Sequence, residues 1–426
     1  MIASIRQKFN AAFTEEAYQN YLAELNTPFP GALNFSVAET PIFIDQAFLQ
    51  KVLATGNYVN QVIQSDSFKS ITAPSLENVA LFPNETALPQ CIVMDFAIAL
   101  NEHNEIVPAL IELQGFPSLF AYEILQDECI RKIYDIPNGY SPYLNGYTKE
   151  KYLAHLETIL KGNSILDNAN NSIADFTKHA QIDTTKHSIK DSVKHTVLLE
   201  ILPRQQKTRI DFYCTEKYLN VPIVCITEIF TEGSYLYYER DGSNIKIDRI
   251  YNRIVLDELK HQTKEIQEKG ALLQTNLEVE WVTHPHHFFR ISKFLMPFLK
   301  HAYIPRTQFV DHLTAPPKAL DKYILKPLFS FAGQGVIIDI KPGDIENIID
   351  PSGWILQEKV EYANCIETPT EPAKAELRLF YFWDQSKQEY IATMNLARLS
   401  KGKMIGVNYN KNKQWVGGSL AYFETL

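Results

Sequence analysis

Residues 323–336 read YILKPLFSFAGQGV. Tyr323, Ile324 and Leu325 are strand formers, and the strand they begin runs directly into Lys326 and Pro327. The loop that follows is low in bulk, with Gln334 standing between Gly333 and Gly335. The segment 335–340 then predicts a returning strand, which makes the stretch a hairpin with a glycine-containing tip. A phosphate chain carries several negative charges and needs several donors at close range. Lysine supplies a point charge. Backbone N–H groups become useful donors where the chain can approach closely, and glycine permits that. The stretch has these parts in that order. It is not a GxxxxGK[ST] loop, and no helix opens at its glycines, so it is not a dinucleotide fingerprint either. A plain hairpin with a flexible turn fits the same residues.

The neighbouring strands carry related chemistry. GWILQEKV, 353–360, ends in Gln357, Glu358 and Lys359, an edge able to offer backbone groups to an adenine and a carboxylate to a ribose. AELRLFYFW and YIATMNLARLS, 375–383 and 390–400, carry Arg378 and Arg398, each interrupting an apolar run. Either arginine suits a solvated place on a sheet face, or a guanidinium aimed at phosphate or carboxylate. A plain link over 384–389 would set Ala375 opposite Arg398 and Asn395 opposite Arg378, on opposite faces. Both arginines reach one site only if a bulge shifts the register by one residue, and such a shift is expected. Far upstream, VMDFAIALNEHNEIVPALIELQG, 93–115, predicts two strands joined by a polar hairpin connection. Glu112 and Gln114 leave the same strand face, and the pairing can bring Asp95 to that face. Such hard oxygen donors are what Mg²⁺ takes.

Together these segments resemble the ATP-grasp superfamily. Because the acidic strand pair precedes the lysine hairpin, the order looks like that of the circularly permuted members, such as glutathionylspermidine synthase and eukaryotic glutathione synthetase. MDF and IELQG are similar to that family's RMDF and ExN, YILKP to its lysine strand, and WVGGSLAYFE (415–424) to the glycine-alanine loop of glutathione synthetase. Val93 stands where the family has arginine, Gln114 where it has asparagine, and SFAGQG lacks the arginine or glutamate that relatives carry before the glycines.

The resemblance implies an α/β (α+β) chain: an ATP-grasp fold in permuted order with a Rossmann-like parallel α/β substrate domain. The divisions expected are 1–190 (N-terminal helices and metal strand pair), 191–315 (the Rossmann-like unit) and 316–426 (lid and nucleotide strands). It implies an ATP- and Mg²⁺-dependent carboxylate–amine ligase acting through an acyl phosphate on a small amino-acid, peptide or polyamine substrate. The alternative is a non-catalytic relative that binds a nucleotide, ligand or partner. Lys326 and Lys359 would hold nucleotide and phosphates, Gly333, Gln334 and Gly335 would cover them, and Gln357 and Glu358 would form the nucleotide edge. Asp95, Glu112 and Gln114 would hold magnesium. Arg378 and Arg398 would steady the transferred phosphoryl group and the carboxylate. Asn408, Gly417, Gly418 and Ser419 would meet the acceptor.

Bulk properties agree. A chain of 426 residues with 45% hydrophobic and 21% charged residues is globular and long enough for two or three domains. A net charge of −9 argues against a general nucleic-acid binder. The five scattered cysteines form no CxxC, which fits reduced thiols in a cytosol better than disulfides or a structural zinc. The N-terminal stretch is charged throughout, and neither a signal peptide nor a membrane span is expected. Helices are expected over 1–25, 45–65, 117–135, 255–269 and 286–300, with a surface helix and loops over 161–195. LLEIL–helix–VPIVCITEI predicts a parallel strand–helix–strand unit, and Asp241-Gly242 a hairpin turn. His284, His286 and His287 are explained by helix-start or packing roles better than by a metal. Arg249 and Arg253 suit an anionic substrate or an exposed strand edge.

Overall fold

A computed structural model describes residues 2–116, 118–162, 194–330, 333–403, 405, 410 and 412–425. Most of the 161–195 stretch read above as a surface helix, and Asn408, lie outside the described residues.

The strand Cys91–Leu100 is apolar at nearly every position because both of its faces are covered. It pairs antiparallel with Ile106–Gln114 on one edge and Lys374–Asp384 on the other. Lys374–Asp384 pairs with Glu389–Ser400, and that strand with Gly417–Ser419. This central sheet is therefore assembled from segments near both ends of the sequence. Alternate residues divide its faces. Ile92, Met94 and Phe96, with Leu377, Leu379 and Tyr381, pack beneath Val52, Val59 and Ile63 of the helix Gln46–Ile63. Asp45 starts that helix by accepting a hydrogen bond from the Phe48 N–H at 2.9 Å. The helix expected over 1–25 is two, Ala3–Ala12 and Glu15–Asn26. The break falls at Thr14, whose hydroxyl caps the second by accepting from the Ala17 N–H.

Two bulges set the other face. Between Lys374–Asp384 and Glu389–Ser400 the pairing runs Tyr381↔Ala392 near the turn, then Phe380↔Met394, so Thr393 is the extra residue. Beyond it Glu376 opposes Arg398 and Arg378 opposes Leu396, which puts both arginines on one face as the sequence argument required. Thr393 is buried with both backbone and side chain engaged: its carbonyl accepts from the Leu144 N–H, and its hydroxyl donates to the Phe380 carbonyl. The second bulge lies where Asp95 opposes Glu112 but Phe96 opposes Leu110, leaving Ile111 as the extra residue. Asp95 also opposes Arg378. Glu112, Asp95, Arg378, Glu376 and Arg398 thus share one side of the central sheet.

A smaller antiparallel sheet, Thr307–Phe309, Trp354–Glu358 and Tyr323–Pro327, carries the glycine hairpin. The strand expected over 335–340 is reduced to one bridged pair, Leu325 with Ile337. After it the chain bends across the sheet, and Ile340 and Ile345 pack on Leu325 and Leu356 instead of running alongside them. A parallel sheet, ordered Glu280–Trp281, Arg249–Asn252, Thr196–Glu200, Ile223–Cys225, contains the expected strand–helix–strand unit through Arg209–Leu219. Asp241 and Gly242, both at positive φ (53° and 74°), turn the hairpin between Tyr235–Arg240 and Ser243–Ile247. Ile42–Ile44 pairs in parallel with Ala421–Glu424. Among the described residues no helix is long and apolar enough to cross a membrane. The whole is a mixed α/β architecture of parallel and antiparallel sheets.

Candidate functional site

The charged face of the central sheet is a linked set of ion pairs. Asp95 is only 1% exposed. Arg378 holds it with two hydrogen bonds, Nε to Oδ1 and Nη2 to Oδ2, each 2.7 Å. Arg398 Nη2 lies 2.8 Å from Asp95 Oδ2 and 2.7 Å from Glu376 Oε2. Tyr362 donates to the other Glu376 oxygen, and Arg378 Nη1 donates to the Ser118 hydroxyl. Burial alone drives a carboxyl toward its neutral form. For Asp95 the two guanidiniums outweigh it and hold the group below the usual carboxylate range. Burial dominates at Glu376, whose pKa stays raised although Arg398 opposes it. Arg398 is partly buried, which lowers its pKa, yet Asp95 and Glu376 outweigh this and raise it.

The smaller antiparallel sheet and the loop after it meet this face through two lysines. Lys326 Nζ donates to the carbonyl of Ile111 at 3.1 Å. The bulge that makes Ile111 the unpaired residue leaves that carbonyl open to it. Lys326 also donates to Gln357 Oε1 at 2.7 Å, and Gln357 Nε2 donates to the Thr307 hydroxyl at 3.0 Å. Gln357 is fully buried, so this chain of bonds fixes the ammonium. Burial pushes Lys326 down to about 8, against the opposing pull of Glu112. Lys293 spans the same junction: its Nζ is 2.9 Å from Glu112 Oε1 and 2.5 Å from the Ser330 carbonyl. Between Glu112, Gln114, Lys293 and Ser330 there remains a cavity of about 10 Å³, room for about one water.

The structure therefore sets Glu112 and Gln114 on the lining of one small cavity with Lys293, places Lys326 and Gln357 next to it at the Ile111 carbonyl, and puts Asp95, Arg378 and Arg398 on the same sheet face as Glu112. Other expected positions differ. Asp95, placed above among the metal ligands, has both oxygens on guanidiniums. Glu358 pairs with Arg306 at 3.0 Å, and its N–H donates to the Arg306 carbonyl. Lys359 reaches the Ile338 carbonyl and lies 3.6 Å from Asp339, on the surface. Gly333, Gln334 and Gly335 are exposed at the hairpin tip. A Cβ on Gly335 would come within 2.9 Å of Pro327. Gly417–Ser419 is a strand, not a loop: Gly418 opposes Arg398, and Ser419 is buried with its hydroxyl donating to the Thr40 carbonyl. Gly417 is required there, since a Cβ would meet the Ser36 carbonyl oxygen at 2.3 Å. Lys293, Glu376 and Thr307 were missed. The lysine in RISKFLMPF interrupts an apolar run as Arg378 does, and that signal would have found it.

Two of the three histidines have hydrogen-bonded partners, while His287 is fully buried with neither ring nitrogen hydrogen-bonded among the described residues. His284 Nδ1 accepts from the His286 N–H, and its Nε2 lies 3.1 Å from the Pro83 carbonyl. His286 Nδ1 is 3.0 Å from Glu85, which also receives Arg290 Nε at 2.8 Å. Glu85, His284 and His286 have donor atoms close enough to surround an ion, but Arg290 and Lys69 already supply cations to Glu85. The cluster ties the segment before the central sheet to the helix Pro285–Arg290. Glu85→Ala leaves buried Arg290 without its carboxylate, and urea denaturation should show a loss of about 2–4 kcal/mol. A loss within about 0.5 kcal/mol of wild type, as at an ordinary surface site, would show that the pair holds nothing together.

No family model matches this chain, and no curated protein matches it. Among solved structures it is similar to a glutathione synthetase-like effector from Globodera pallida in its apo form, with a TM-score of 0.53 and 9% identity over 97% of each chain. At that identity the likeness concerns the fold alone, and it extends over nearly the full length of both chains.

Proposed function

We propose that the chain is an ATP- and Mg²⁺-dependent carboxylate–amine ligase, built as an ATP-grasp fold in permuted order. The observation that supports this most is the junction itself. A buried lysine on a glycine hairpin reaches the bulged strand that carries Glu112 and Gln114, on the sheet face that carries Arg378 and Arg398. In such a ligase the terminal phosphoryl group of ATP passes to a carboxylate, and an amine then displaces phosphate from the acyl phosphate. The protein's share is positioning and charge stabilisation. Lys326 and Lys293 would exchange their carbonyl partners for phosphate oxygens as the lid opens. Arg378 and Arg398, held by Asp95 and Glu376, would present their remaining N–H groups to the transferred phosphoryl group and the carboxylate. Gly418, beside Arg398, would border the acceptor.

Glu112 and Gln114 fit a magnesium ion as donors, one carboxylate and one amide oxygen on a common strand face. When held there, the ion would supply positive charge to offset that of the phosphates. Asp95 does not fit, because both oxygens are committed to guanidiniums; we assign it instead as the anchor of the two arginines. The substrate class, a small amino acid, peptide or amine, follows from the resemblance of the sequence to carboxylate–amine ligases. The test is ADP formation on mixing the full chain with ATP, Mg²⁺ and pooled amino acids, short peptides and amines. Ligase activity gives ADP only when an acid and an amine are both present, with product mass equal to their condensation.

A second reading, a non-catalytic nucleotide or ligand binder, is favoured by one observation. Every carboxylate on the face already has a cationic partner from the protein. ATP bound with no ADP from any pool would decide for it, and no nucleotide binding at all would end both readings.

A further inference from the structure

The largest cavity among those described, about 450 Å³, lies outside the site above and has a different chemistry. Its volume is that of a small-molecule site. Phe294, Phe298 and Phe309 form a continuous aromatic wall, with ring centroids 5.0 Å apart for Phe294–Phe309, 5.8 Å for Phe298–Phe309 and 6.0 Å for Phe294–Phe298. Phe298 is 36% exposed, unusual for so large an apolar side chain, and it faces this space. Around the mouth stand the exposed carboxylates Glu77, Asp311 and Asp350. None of the three has an ion pair among the described residues. The basic groups on the lining are Lys260, which has a partner of its own, and His312, whose ring sits edge-on to Phe309 at 5.3 Å.

We infer that this cavity binds a compact organic cation, an alkylated ammonium group seated on the phenylalanine wall with the mouth carboxylates supplying the counter-charge. A metal ion would gain from the carboxylates but, keeping its shell of oxygen ligands and water, would gain little from the rings. A neutral apolar ligand would gain from the rings and nothing from the carboxylates. An ammonium clothed in methyl groups uses both, because ring faces attract cations within about 6 Å of the centroid. Leu328 and Phe329 of the lid loop line this cavity and also the small one beside Glu112 and Lys293. They form the partition between the two, so an occupant here touches a segment that also borders the proposed site. The inference does not depend on the ligase reading.

Choline and its neutral carbon isostere 3,3-dimethylbutan-1-ol make the test, titrated into the full chain by calorimetry or by NMR of the ligand methyl groups. Choline should bind saturably with a dissociation constant near or below about 1 mM, a free energy of about −4 kcal/mol. The isostere should bind at least about 10-fold more weakly, the discrimination expected of a partly desolvated cation–π contact. Phe298→Leu and Asp311→Asn, both at exposed positions and so compatible with folding, should each weaken choline about 3-fold or more. Equal binding of choline and the isostere would overturn the inference in favour of a merely apolar cavity. So would the absence of saturable binding, or choline binding that neither substitution changes.

Discussion

Asp95→Ala should be the most damaging single substitution in the molecule. It removes the one carboxylate shared by Arg378 and Arg398, which meet it at 2.7 and 2.8 Å. Arg398 keeps Glu376, but buried Arg378 keeps only the Ser118 hydroxyl among its hydrogen bonds. Breaking a buried ion pair from one side costs about 3–5 kcal/mol, because the remaining charge stays desolvated. That is a large part of the stability of an ordinary domain. Denaturant unfolding at neutral pH should show it directly. Removing Arg378 as well, in Asp95→Leu/Arg378→Leu, should recover much of the loss, since no orphaned guanidinium remains. The acid limb should change too. The Asp95 pKa is lower in the folded than in the unfolded chain, so its contribution is complete above the unfolded value of about 3.9 and is lost as pH falls through the folded one. The gap between wild type and Asp95→Ala should therefore close as pH drops below about 4. A gap that is unchanged from neutral to strongly acid pH would mean that the carboxylate does not bear this charge.

That Asp95 anchors arginines was not legible in the sequence, although the residue itself was. Asp95, Glu112, Lys326, Arg378 and Arg398 each stand out for the same reason: an ionisable group inside an apolar strand is costly unless it has a partner or a task. Which partner it has depends on pairing register, and two single-residue bulges decide that. The bulge at Thr393 could be argued for, because both arginines were required on one face. The bulge at Ile111 had no such argument, so the open carbonyl that receives Lys326 could not be foreseen. Lys293 carries the same mark, a charge interrupting the apolar run of RISKFLMPF, and was legible on the same ground. Gly417–Ser419 resembles a loop in composition, yet close packing on Ser36 makes it a strand. Glycine there answers a need for space, which propensity does not register. The parallel unit and the hairpin at Asp241-Gly242 were legible because local chemistry and tertiary structure agree.

Lys326→Met should separate function from stability. Burying the ammonium lowers its pKa from the ordinary 10.5 to about 8, a cost of about 3 kcal/mol at neutral pH by linkage. Replacing it by methionine removes that cost but strands the Gln357 and Ile111 acceptors, a loss of about 1–3 kcal/mol. These nearly cancel, so the melting temperature should move by only a few degrees. ATP affinity should fall about 100-fold or more, the usual effect of losing one partner of a desolvated charge contact. The pH dependence is the sharper part. A lysine with a lowered folded pKa costs stability below about 8, and the cost is relieved as pH rises from there toward about 10.4. Wild type should thus gain stability relative to Lys326→Met across that window. Nucleotide binding should run the other way, weakening as pH rises through about 8, because only the ammonium pairs with phosphate. The groups that set this titration are Glu112, Lys293, Glu376 and Asp95. Since phosphate favours the charged form, ATP binding above about pH 8 should take up protons. Calorimetry in two buffers of different ionisation enthalpy reads that uptake. The same uptake in Lys326→Met, or an ATP affinity that is flat across this range, would remove the lysine from the nucleotide site and the ligase proposal with it.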